Sequence, residues 1–248
     1  MKVNYRIVLL MFCVMSIGAH GDQADIDTEI AGYIAVFKGD DFPQQKKAMS
    51  TMRWAGISDP ALYDIIADKI KTKIAAGDKY SLQHASWFAK TLPYSGNEKY
   101  RPVLEELSAS GPKKVRKHAA IALERFEKYV EWNPVIAAGL ASAPSGRLEE
   151  ARVKNMLAAP DPELLTMGMK RVYYGHKGDA ELIELVAERV NQEYRDASDD
   201  HTVNAVAWGI KTLAESNNAS YRSNLEEIQQ NATNKKIVKY AKKYKDYL

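Results

Sequence analysis

The side chains that most often carry chemistry are thinly spread in this 248-residue chain. Its one cysteine, Cys13, stands in an apolar N-terminal run. His84, His118, His176 and His201 are scattered, with no two of them three or four residues apart. A local metal pair on a helix needs that spacing, and thiolate or cysteine-ligated zinc chemistry needs cysteine. The serine-hydrolase elbow G-x-S-x-G, the zinc motif H-E-x-x-H, the phosphate loop G-x-x-x-x-G-K-[ST] and the dinucleotide fingerprint G-x-G-x-x-G are all missing. No catalytic residue, metal or cofactor is therefore expected. Asp196, Asp199, Asp200 and His201 crowd one segment but lack the glycine and distal glutamate of a calcium loop. They read as a solvated loop with an N-cap for the next helix.

The residues that could grip a partner are aromatic and basic. At 100° per residue, Leu82, Ala85, Ala89 and Leu92 form an apolar stripe on a helix near 80–93, and Tyr80, His84, Trp87, Thr91 and Tyr94 fall opposite. His201, Ala205, Trp208 and Thr212 take that second side on a helix near 201–215. Near the C-terminus, Ile237, Tyr240, Ala241 and Tyr244 are expected to face the protein, and Lys239, Lys242 and Lys243 to face water. The candidate partner-binding set is Tyr80, His84, Trp87, Tyr94, Trp208, Lys239, Lys242 and Lys243. Structural readings compete with it. A tryptophan present twice is simply explained by packing against a neighbouring helix, and lysines suit the outer face of a terminal repeat and a helix C-terminus.

The elements that must position these residues come in two copies. Trp87–Leu107 aligns with Trp208–Ile228, and Trp87, Lys90, Thr91, Leu92, Ser95, Asn97, Tyr100, Arg101, Leu104, Glu105 and Glu106 each meet their own kind. Leu62–Ile70 aligns with Leu182–Val190, and Lys113–Lys117 with Lys235–Lys239. The offset grows from 119 to 122 along the chain, with each step among Gly, Asp, Ser or Asn. This is the pattern of a tandem duplication of about 120 residues.

Each copy reads as six helices. Tyr100, Val103, Leu104 and Leu107 stand at i, i+3, i+4 and i+7. Asp59-Pro60, Asp161-Pro162 and Gly111-Pro112 mark helix starts, and Gly39, Gly77, Gly96 and Gly175 mark stops. The expected helices lie near 26–38, 42–55, 60–76, 80–93, 98–110 and 113–131, then near 146–158, 161–174, 179–195, 201–215, 219–231 and 234–247. Arg101 and Glu105 are expected to pair along their helix. Pro134, Gly139, Pro144 and Gly146 interrupt 130–146, within which 132–145 reads as a connector between halves 22–131 and 146–248.

Gly111–Phe126, with its turn proline, basic residues and small alanines, resembles the second helix of a HEAT repeat, and Asp161–Gly175 resembles it more weakly. The resemblance implies an all-α, right-handed α-solenoid of about six HEAT-like hairpins whose second helices line a concave, protein-binding face. It implies no reaction. Glu215-Ser216 matches the dipeptide around the catalytic acid of lytic transglycosylases, but the rest of that motif is absent.

Residues 1–21 read as a secretory signal peptide. Lys2 and Arg6 precede the apolar stretch Ile7–Ile17, and Ala19-His20-Gly21 supplies small residues at the cleavage positions. Removing them leaves 33 basic against 32 acidic residues, a balance that gives no argument for nucleic acid as partner. No later apolar run has membrane length. The expected product is an exported, periplasmic or secreted, non-catalytic scaffold or adaptor with a protein partner. The alternative is an extracytoplasmic enzyme or envelope-polymer-binding protein with its site on the concave face.

Overall fold

A computed structural model describes residues 21–248. The expected signal peptide lies outside them, except for Gly21 at the head of the first helix. The described residues form twelve α-helices and no strand. They are α1 (Gly21–Lys38), α2 (Phe42–Met52), α3 (Pro60–Ala76), α4 (Lys79–Thr91), α5 (Arg101–Ser110), α6 (Lys113–Ile136), α7 (Leu148–Ala158), α8 (Pro162–Gly175), α9 (Ala180–Glu193), α10 (Asp200–Ala214), α11 (Tyr221–Asn231) and α12 (Lys235–Tyr244). No described helix is long and apolar enough to cross a membrane.

The starts follow from local chemistry. The carboxylates of Asp41, Asp59, Asp78, Asp161, Asp179 and Asp199 each accept a backbone N–H in the first turn of the helix they precede. Such caps satisfy donors that the helix itself cannot. Asp199 thus takes the capping role expected of it, receiving the N–H groups of His201 and Thr202 at 2.9 and 3.0 Å.

Packing is largely between neighbours in sequence. α3 lies on α4, α5 on α6, α7 on α8, α9 on α10 and α11 on α12. Alternate helices also meet: α4 on α6, α8 on α10, and α10 on α12. One apolar core gathers α1–α6 around Phe37, Leu62, Ile66, Phe88, Leu104 and Phe126. A second gathers α7–α12 around Val153, Leu165, Val186, Ile210 and Ile237, and takes in Tyr129, Trp132 and Ile136 from α6.

The join between halves differs from the expected connector at its start. α6 continues through Pro134 to Ile136. Trp132, Asn133 and Ile136 are buried there, and Asn133 Nδ2 donates to Tyr94 O at 2.8 Å and to Ser58 Oγ at 3.2 Å. Burial holds the last turn despite the proline. Only a short 3-10 turn at Leu140–Ser142 separates this end from α7. α7 packs against the end of α6 and also against α1, the first helix of the other half. There Arg152, 5% exposed, forms a double hydrogen bond with Glu29 at 2.6 and 3.2 Å. The Asp25 carboxylate accepts from Ser145 Oγ and Gly146 N, both at 2.8 Å.

Candidate functional site

The repeated Trp-x-x-Lys-Thr block makes the same local structure twice. Thr91 Oγ1 donates to Trp87 O at 3.0 Å, and Thr212 Oγ1 donates to Trp208 O at 2.8 Å. Both threonines are buried. Thr91 is thus nearly enclosed beside Trp87, with its hydroxyl folded back onto the helix. Each tryptophan is half-buried, with one flank on a core and the other under two lysines. Lys46 of α2 and Lys90 of α4 lie 4.7 and 5.3 Å from the Trp87 ring centroid. Lys170 of α8 and Lys211 of α10 lie 4.9 and 5.0 Å from that of Trp208. Packing and exposure thus both apply to the same residues.

Around Trp87 the ends of α2, α4 and the middle of α6 enclose a groove of about 420 Å³. Its cations are Lys46, Arg53, Lys90 and Arg125, its aromatics Trp54, Trp87 and Tyr94, and it has no carboxylate. Among the described residues none of those four cations has a carboxylate within 4.0 Å. Burial pushes the Tyr94 hydroxyl up, while the nearby positive charge of Arg53 and Arg125 acts the other way. Charge that is balanced along the whole chain is thus segregated in space. The chain matches no family model, no curated protein and no solved structure.

The other candidates scatter. Tyr80 is 70% exposed at the start of α4, outside the groove. His84 stacks on Phe42, centroids 3.6 Å apart. Trp208 belongs to a separate aromatic cluster with Tyr173 and the exposed Tyr174. Lys239, Lys242 and Lys243 are exposed on α12, while Ile237, Ala241 and Tyr244 are buried beneath them and Tyr240 is half-buried. Of the eight candidates, only Trp87 and Tyr94 line one groove together.

Sequence reasoning missed Lys46, Arg53, Trp54 and Arg125, which complete that groove. Their spacing along the chain carries no motif. Lys90 and Lys211 were signalled, since both recur within the duplicated block.

Elsewhere, acids are tied to neighbouring cations. Arg101 pairs with Glu98 and Glu127, both at 2.6 Å, in place of Glu105, because Glu98 precedes it by one turn and Glu127 faces it from α6. Glu215 is pushed up by burial, but the Tyr173 hydroxyl and Lys177 outweigh this and hold it below the usual carboxylate range. That keeps it ionised, opposite to what a general acid needs. No group of three or more His, Cys, Asp or Glu able to hold a metal occurs among the described residues.

Proposed function

We propose that this chain is a non-catalytic binding scaffold that acts after export and holds an acidic segment of a protein partner in the groove between α2, α4 and α6. The observation that carries the reading is the groove itself: four cations and three aromatic side chains with no carboxylate among its lining residues. Unneutralised cations in a recess favour anionic partners, and rigid aromatic surfaces supply contact area at little entropic cost. The exposed lysines of α12 are a poorer anchor, since they stand on an open helix face.

The architecture in this reading is a HEAT-like α-solenoid in two duplicated halves. The duplicated sequence supports it, and so does the local backbone. Gly96 and Asn217, which align in the two copies, both adopt the left-handed conformation, at φ 54° and 59°. The matched threonine-to-tryptophan hydrogen bonds point the same way.

The test is site-specific photo-crosslinking in the exporting compartment, with the crosslinker at Ser50 in the groove or at Lys242 on α12. A protein adduct from position 50 that disappears in Lys46→Glu/Lys90→Glu is expected. Adducts only from position 242, or adducts at 50 indifferent to charge reversal, would overturn the groove as the binding face. Recovery of polysaccharide instead of protein at position 50 would replace the protein partner with an envelope polymer.

A further inference from the structure

A second recess, of about 260 Å³, lies where the end of α2 and the C-terminal half of α6 meet α8 and α10. Arg53 and Arg125 line it as well as the first groove, and Tyr129, Trp132, Lys170, His201 and Asn204 complete most of its wall. Three of these carry positive charge. Glu163 is the one carboxylate in the lining, and it is already held by Lys128, with His201 Nδ1 at 3.6 Å. The recess therefore keeps a positive excess.

Two residues of this lining also carry buried, unpartnered donors. Trp132 is 6% exposed, and its indole Nε1–H is buried without a hydrogen-bond partner. Arg53 Nε is likewise buried and unpartnered. Buried donors are normally paired. The charges also strain against one another. Burial lowers the Lys170 pKa, and the charge of Arg53 lowers it further.

We propose that this recess binds a compact oxyanion, a phosphate or carboxylate group, through Arg53, Arg125, Lys170 and the Trp132 indole N–H. Guanidinium forks match the paired oxygens of either group. An indole N–H adds a neutral donor that only an acceptor can use. The site does not depend on the protein partner. It shares Arg53 and Arg125 with the Trp87 groove, so the anion is titrated here into the protein without a partner, where both arginines are free to face the recess.

The chain has four tryptophans, so its indole N–H signals can be followed individually by NMR. In titrations with inorganic phosphate and, separately, citrate, the Trp132 indole signal is expected to shift saturably with at least one of them. Arg53→Gln/Arg125→Gln should weaken that binding at least tenfold while leaving the thermal midpoint within a few degrees. Lys242→Gln/Lys243→Gln, which removes equal charge from α12, should leave it unchanged. The phosphate and citrate arms tell the two oxyanion classes apart. No saturable Trp132 shift with either anion, or equal weakening by the α12 substitutions, would overturn the proposal.

Discussion

At the scale of single residues, two positions aligned in the similar segments 87–107 and 208–228 adopt one backbone conformation under different constraints. A Cβ on Gly96 would meet Tyr129 O at 2.4 Å. Gly96→Ala therefore adds a clash to a left-handed backbone and should cost about 2 kcal/mol in a denaturant titration. Asn217 takes the same left-handed turn, and asparagine tolerates it. Asn217→Gly should leave stability within about 0.5 kcal/mol. Titratable residues give a second expectation. Burial lowers the pKa values of His84, His118 and His176, and neighbouring cations lower them further: Lys73 at His84, Lys90, Lys114 and Lys117 at His118, and Arg171 at His176. A histidine lowered on folding contributes stability above its unfolded value and loses it as pH falls through the folded one. The thermal midpoint should therefore drop as pH falls from about 7 to about 5, below the ordinary histidine value. His118→Gln should make that drop shallower in calorimetry. At this scale the sequence was half legible. Trp87 and Tyr94 announced themselves by type and helical phase. Their cationic neighbours Arg53 and Arg125 did not, because lysines and arginines on amphipathic helices usually mean solvent, and only packing shows which of them share a recess.

At the scale of elements, most of the helices were legible because they carry a periodic apolar stripe, a chemical stop or start, or both. The end of α6 was not. Pro134 reads as a breaker in sequence, yet buried Trp132 and Ile136 and the amide of Asn133 hold the turn around it. Asn133→Ala should remove the bond to Tyr94 O and raise amide exchange in residues 133–137, measured by hydrogen exchange. Helix approach is set by a glycine elsewhere. A Cβ on Gly209 in α10 would lie 2.2 Å from Val190 Cγ2 of α9. Valine is stiff at χ1, so it cannot easily move aside. Gly209→Ala should destabilise by about 1–3 kcal/mol despite alanine's better helix propensity, because overpacking outweighs it. The position that aligns with it in sequence is Phe88, wholly buried against Phe37 and Phe42, so similar sequence blocks carry very different volumes there.

At the scale of the molecule, the two cores are joined by more than the run of α6 into α7. Arg152 is nearly enclosed, and its carboxylate partner Glu29 belongs to the first helix. Removing one member of a buried ion pair strands the other. Because Glu29 keeps some solvent contact, Arg152→Met should cost about 2 kcal/mol, at the low side of such losses, in equilibrium unfolding. The duplicated sequence did not reveal this join, since it pairs residues that have no counterpart relation between the copies. It has a consequence in time. Asp25 and Glu29 find their partners 120 to 123 residues further along the chain. During vectorial synthesis, α1 emerges early, and Asp25 and Glu29 must wait until more than half of the chain has followed before they meet these partners. Long-range closure of this kind is slow compared with forming neighbouring hairpins. The apolar side of α1 can thus settle early on α2 and α3, while its polar contacts to the second core are placed to form among the last.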